Sequence, residues 1–254
     1  MIAVIIIPCF REQHRLPTFL RDLAQHLSTS PHLRGTILVV DDGSGPAEAV
    51  ALLAAVSPIQ AEFPHLIQAP LLLPANLGKG GAVYHGWAQA CTEPVDLLGF
   101  IDADGSTSAK EFCRLWSILL ENTATVDAVL GSRIRMLGRE VERPLKRHLL
   151  GRVFATLTHW ATGVKVYDSQ CGAKMFKASV YQTIRHQLQE TGFAFDVELI
   201  RAAIQHRFRL IEVPVDWQDE PGSQVRLFRD SFRMFRSLLR IRRRNASISP
   251  SNPI

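Results

Sequence analysis

Two aspartates one residue apart, Asp102 and Asp104, follow directly on the apolar run Leu97-Leu98-Gly99-Phe100-Ile101. That run has the length and bounds of a buried strand. Side chains alternate sides on an extended chain, so Asp102-Ala103-Asp104 predicts a strand tip opening into a loop, with both acids in one crevice. Two hard oxygen donors at such a tip suit Mg2+ or Mn2+, which bridges to substrate phosphates and keeps several waters. A solvated turn at Asp104-Gly105 is the plainer alternative.

The elements that would position these acids can be read on either side. Ile2–Ile7 is a continuous β-branched run stopped by Pro8, and Leu16, Phe19, Leu20, Leu23 and Leu27 recur at helical spacing. Thr36–Val40 predicts a second strand ending in Asp41-Asp42-Gly43-Ser44, followed by a short helix through Leu52 and Leu53. Residues 66–73 predict a third strand, and Gly78 to Cys91 a glycine-opened helix. Four alternations of strand and helix indicate an α/β domain with a mostly parallel sheet flanked by helices. In such sheets ligands bind beyond the carboxyl ends of the strands. The polar punctuation gathers at those ends: Pro8–Glu12, Asp41-Asp42, Asn76–Gly81 and Asp102–Asp104.

The second half is less regular. A helix is expected over Phe112–Leu120 and a strand over Ala128–Gly131, with short extended pieces within Tyr167–Lys177. A helix over Phe195–His206 and a strand over Leu210–Trp217 follow. The net charge of the 254 residues is +5, yet residues 226–244 alone carry +7 and the remainder −2. In that segment Phe228, Phe232, Phe235 and Leu239 point one way and Arg226, Arg229, Arg233, Arg236 and Arg240 another. This pattern suits an interfacial helix on an anionic membrane surface, or a helix packed on the domain with a solvated face. The apolar stripe from Leu149 to Ala161, preceded by Arg143, Lys146 and Arg147, has the same two readings. No binding fold accompanies the arginines, which argues against nucleic acid. No 18-residue uncharged apolar stretch exists, so no helix is expected to span a membrane. Four dispersed cysteines suggest a reducing, cytoplasmic compartment. The expected organisation is a catalytic domain over 1–225, a basic amphipathic helix over 226–244 and a disordered tail over 245–254.

A crevice with a metal, glycines and a lysine fits a nucleoside diphosphate. Lys79 and the amides of Gly78-Lys79-Gly80-Gly81 can meet phosphate, and Asp41 or Asp42 a base or ribose. An ordinary turn and a plain helix start are the alternatives. Neither G-x-G-x-x-G nor G-x-x-x-x-G-K-[ST] occurs, which argues against a dinucleotide oxidoreductase and a P-loop NTPase.

Taken together, Ile5–Glu12, Val39–Ser44, Asn76–Ala82, Asp102–Asp104 and Gly131-Ser132-Arg133 stand in the order of family 2 glycosyltransferases. With Asp168–Phe176, Phe195–Leu199 and Glu212–Val215, the chain resembles the dolichyl-phosphate glucosyltransferase and mannosyltransferase branch. The resemblance implies a GT-A (Rossmann-like) fold and inverting transfer of a hexose from a nucleotide sugar, UDP-glucose before GDP-mannose, to a polyprenyl or dolichyl phosphate. It implies nucleotide contacts at Pro8, Phe10, Glu12, Asp41, Asp42, Lys79, Gly80, Asp102 and Ala103, and Mg2+ or Mn2+ on Asp102 and Asp104. Asp104 and Arg133 would serve catalysis, Arg133 facing phosphate. Asp168 is the candidate for a base or for acceptor positioning. Arg143, Lys146, Arg147, Arg226 and Arg229 would meet acceptor or membrane on the cytoplasmic face. Where the glucosyl branch has Gly-Ser-Lys, this chain has Gly222-Ser223-Gln224, so Arg226 or the 139–147 segment would have to supply the cation. A hydroxyl acceptor on a polysaccharide or soluble molecule, and a non-catalytic membrane-surface adaptor, are the competing expectations.

Overall fold

A computed structural model describes residues 1–142, 156–160, 162–219 and 227–245. Seven strands form one sheet: β1 (Ile2–Cys9), β2 (Arg34–Asp41), β3 (Leu71–Leu72), β4 (Leu97–Ile101), β5 (Ala128–Ser132), β7 (Ala173–Lys177) and β8 (Leu210–Pro214), in the order β3-β2-β1-β4-β7-β5-β8. All pairings are parallel except those of β7, which runs antiparallel between β4 and β5. A two-stranded ribbon pairs β6 (Val141–Glu142) with β9 (Trp217–Gln218).

The continuous apolar runs follow from helices on both faces. Along β1, Ala3, Ile5, Ile7 and Cys9 enter one core and Val4 and Ile6 the other. The first core takes its helical side chains from α1 (Leu16–Ser28), α2 (Pro46–Glu62) and α4 (Ala109–Glu121). The second takes them from α3 (Lys79–Ala90), α5 (Ala178–Ile184) and α6 (Phe195–Gln205). Trp87 of α3 lies fully buried there, its indole N–H donating to the Gly99 carbonyl at 3.1 Å.

Three expectations change. The third strand shrinks to Leu71–Leu72, with a lone bridge between Ile37 and Ile67, because Pro70 cannot donate to a ladder. The short second helix runs 17 residues, past Pro58, because Leu52, Val56 and Ile59 bury one stripe while Pro58 faces solvent. The extended pieces within Tyr167–Lys177 resolve into β7, a central strand of reversed direction. Among the described residues no helix is long and apolar enough to cross a membrane.

The last helix, α7 (Leu227–Asn245), docks on α6. Leu238 and Ile241 are buried against Ala194 and Val197. Arg240 donates to both Glu190 oxygens at 3.0 and 2.8 Å, and Arg244 reaches Glu198 at 2.8 Å and Glu190 at 3.1 Å. The docked stripe is therefore not the Phe235–Leu239 stripe singled out by sequence: Phe235 is 36% exposed.

Candidate functional site

The exits of β1, β2 and β4 and the start of α3 meet at one edge of the sheet. They enclose a crevice of about 520 Å3, lined among others by Pro8, Phe10, Glu12, Asp42, Lys79, Asp102, Ala103 and Asp104. At the β1 exit, Arg11 takes a left-handed backbone (φ 57°) and its N–H donates to the Ser44 hydroxyl at 2.8 Å. Ser44 in turn donates its N–H and O–H to Asp41 at 3.0 and 2.5 Å. Asp42 accepts from the Leu77 and Gly78 amides, both at 2.8 Å, and from the Asn76 side chain at 2.9 Å. This carboxylate thus pins the loop that launches α3. Burial raises the Asp42 carboxyl above its ordinary range, against the two amides.

The two acids of the β4 tip differ in surroundings. Asp102 meets the Lys79 ammonium at 2.5 Å, and Lys79 also sits over the Phe100 and Phe195 rings at 5.5 and 5.8 Å. Burial alone would lower the Lys79 ammonium, but Asp102 and Asp196 outweigh it and raise it. Asp104 accepts from the Ser106 amide at 3.0 Å. Burial and then the Asp102 charge push its carboxyl up. A carboxyl whose ionisation a neighbouring carboxylate opposes in this way favours a cation between the two.

A second cluster stands behind Asp102. A Cβ at position 172 would overlap the Asp102 carboxylate, so any larger residue there would displace that carboxylate. Just before it, Asp168 accepts from Arg133 through the backbone N–H (3.0 Å), Nε (2.6 Å) and the terminal guanidinium nitrogen (2.8 Å), and from the Gln170 amide (3.1 Å). Glu212 of β8 holds this loop by accepting from the Tyr167 and Asp168 amides and the Ser132 hydroxyl. Below it, fully buried Lys174 of β7 donates to Asp196 at 2.7 Å and to the Cys171 carbonyl at 2.5 Å.

The profile of Glycosyl transferase family 2 matches residues 4–185. The chain belongs to glycosyl transferase family 2. The dolichyl-phosphate beta-glucosyltransferase of Dictyostelium discoideum is 30% identical to this glycosyltransferase over 245 residues, spanning 94% of this chain and 73% of that one. The polyprenol monophosphomannose synthase of Mycolicibacterium smegmatis is 27% identical over 220 residues, 85% and 77% of the two chains. The glucosyl-3-phosphoglycerate synthase of Mycobacterium tuberculosis, solved in complex with Mg2+ and uridine diphosphate, superposes with a TM-score of 0.66 at 14% identity, covering 99% of this chain and 81% of that one. The sheet and its flanking helices are the GT-A fold.

Within this glycosyltransferase the expected residues fall into three groups. Pro8, Phe10, Glu12, Asp42, Lys79, Asp102, Ala103 and Asp104 come together on the crevice. Asp41 and Gly80 stand behind its wall. Asp41 is 2% exposed and accepts from Ser44 through both oxygens, so it braces the β2 turn. Gly80 lets α3 pack on Phe195. Asp168 is corrected as a base. Burial opposes its charge, but the Arg133 guanidinium overrides that and holds the carboxyl well below the usual range, which makes it a poor proton acceptor. It positions Arg133. Arg143, Lys146, Arg147 and Arg226 lie outside the described residues, and Arg229 lies on α7. Arg139, of the segment expected to supply a cation, pairs with Glu111 at 3.3 Å.

Sequence reasoning passed over Arg15, the Gly192–Ala194 loop, and Arg233, Met234 and Ser237 of α7, all on the crevice. It also passed over the Lys174–Asp196 pair. A lysine at the centre of the apolar run Ala173–Phe176 was the available signal, since lysine is rarely buried without a partner.

The donor set at the β4 tip fits a divalent cation. Among the described residues no group of three or more His, Cys, Asp or Glu gathers at metal-holding distance. A cation on Asp102 and Asp104 would therefore complete its shell with water and phosphate oxygens, the habit of Mg2+ beside nucleotides.

Proposed function

We propose that the chain transfers glucose from UDP-glucose to a polyprenyl or dolichyl phosphate with inversion, using Mg2+ or Mn2+. The observation that carries this reading is the acid pair at the β4 tip, on a crevice shared with Lys79, which meets Asp102 at 2.5 Å. Two of the proteins named above support this acceptor by name, one a dolichyl-phosphate beta-glucosyltransferase and one a polyprenol monophosphomannose synthase, so GDP-mannose is the second donor to test.

In the step itself an acceptor phosphate oxygen forms a bond to the sugar C1 while the C1–O bond to the diphosphate breaks, and UDP leaves with the electron pair. Asp102 and Asp104 would hold a divalent cation, which would supply Lewis-acid stabilisation of that charge. Lys79, already beside Asp102, adds a fixed ammonium at the same end. Arg133, held rigid by Asp168, offers the second cationic pole. A lipid phosphate is ionised near pH 7 and surrenders no proton, so the depressed basicity of Asp168 suits it better than a hydroxyl acceptor.

Incubation with UDP-glucose, Mg2+ and a polyprenyl phosphate is expected to release UDP and yield a lipid-linked sugar. No release with UDP-glucose or GDP-mannose ends the reading. Release that needs only a water-soluble hydroxyl acceptor moves it to the polysaccharide alternative.

A peripheral seat on the cytoplasmic face of an anionic membrane belongs to the same proposal. Phe235 and Leu239 of α7 and Trp160, 58% exposed, lie at the surface, and the Arg242 guanidinium stacks 4.4 Å over the Trp160 ring. An aromatic body with a cation beside it suits the headgroup region. The four free cysteines accord with a reducing compartment. Pairing Trp160→Ser with Arg242→Ser is expected to lower co-sedimentation with phosphatidylglycerol vesicles several-fold, each near-surface arginine contributing about 1 kcal/mol. Partitioning of the parent protein should weaken with salt. Unchanged sedimentation of the double variant would show that this face is merely solvated.

A further inference from the structure

On α7, Arg233, Ser237, Arg240 and Arg244 follow one another at intervals of four, three and four, so they share one side of the helix. At the C-terminal end of this stripe Arg240 and Arg244 are met by Glu190 and Glu198. At the other end Arg233 passes beyond those acids to the crevice, which it lines with Ser237, Lys79, Asp102 and Asp104. Among the described residues no carboxylate of the protein pairs with Arg233. The docking of α7 is independent of this residue, being carried by Leu238, Ile241 and the two arginine clamps. A cation is thus delivered to the mouth of an acid-lined crevice by a helix that is anchored elsewhere.

We propose that Arg233 binds a phosphate group of the reactants, making the C-terminal helix a wall of the active site. The inference rests on the glycosyltransfer reading above and deepens it. A guanidinium forks onto phosphate oxygens with two parallel hydrogen bonds, whereas the Ser237 hydroxyl one turn further on accepts from Arg240 at 2.7 Å. The phosphate is either the donor's diphosphate or the acceptor's monophosphate, and the two are separable.

The full chain with Arg233→Ala, with Arg233→Lys, and with Lys110→Ala as an exposed control on α4, is titrated calorimetrically with UDP and Mg2+. Each variant is also assayed against polyprenyl phosphate at saturating UDP-glucose. Losing a charge-assisted contact is expected to weaken one of the two by about tenfold or more, with lysine restoring part of it and the melting temperature unmoved. A raised UDP dissociation constant assigns Arg233 to the donor. A raised acceptor KM with unchanged UDP binding assigns it to the acceptor. Parental values for both in Arg233→Ala, or a loss that lysine does not repair at all, overturn the inference. Failure of the parent protein to turn over either nucleotide sugar overturns the glycosyltransfer reading instead, and the UDP titration still reports on Arg233.

Discussion

Asp104→Ala is expected to lower kcat/KM by on the order of 10^3-fold or more while leaving the melting temperature unchanged or slightly raised. The activity loss follows from position. Asp102 alone would remain, and one of its oxygens already faces Lys79 at 2.5 Å. A cation held by a single carboxylate loses both charge and fixed direction toward the diphosphate. The stability expectation has the opposite sign because Asp104 is a burden to the empty fold. Burial and the neighbouring Asp102 both push its carboxyl upward, so alanine relieves a like-charge contact. Electron paramagnetic resonance of Mn2+ with UDP measures the same loss without turnover: the variant should leave far more free Mn2+ in solution. Parent-like rates in Asp104→Ala would remove an Asp104-held metal from the mechanism.

The second large effect concerns folding. Lys174→Met removes the cation from a pair whose members are 0% and 2% exposed, leaving Asp196 charged in the core. Breaking one side of such a pair costs about 3–5 kcal/mol, which for a chain of this size lowers the melting temperature by on the order of 10 °C. The Asp196 carboxyl is already raised by burial, against the pull of Lys174 and Lys79. Without Lys174 it rises further, so at neutral pH the variant must keep a poorly solvated charge or take up a proton. A native carboxyl that binds its proton more tightly than the unfolded one gains stability as pH falls. The deficit of Lys174→Met should therefore be smaller at pH 5 than at pH 8 in urea melts. The double variant Lys174→Met/Asp196→Leu should recover much of the loss, because a matched apolar pair leaves no orphaned charge. A deficit equal at both pH values would argue that lost packing, not charge, is responsible.

The parts legible in sequence were those whose cause is local. β1, β2 and β4 are apolar runs that end in or next to polar residues, so both the strands and the edge they share could be read, although β1 runs through Pro8 to Cys9 instead of stopping at the proline. The crevice residues Pro8, Glu12, Asp42, Lys79, Asp102 and Asp104 sit directly on those exits. What escaped depends on distant partners. The role of Asp168 is decided by Arg133, 35 residues earlier, which turns a candidate base into a brace. The direction of β7 is decided by its neighbours, since a five-residue strand carries no mark of polarity. On α7, spacing offered an aromatic stripe and an arginine face, and Glu190 and Glu198, some 50 residues upstream, pair with Arg240 and Arg244 so that Leu238 and Ile241 dock instead.

The reversed course of β7 has one more effect. Its neighbours β4 and β5 bring functional groups to the rim as they leave the sheet, whereas β7 brings Asp168–Gly172 there on its way in. On the function proposed above, the departing strands would hold the nucleotide and the one arriving strand would frame the opposite bank. On that proposal, exchanging the approach segment ahead of Asp168 is expected to change the acceptor KM and leave UDP binding as it was.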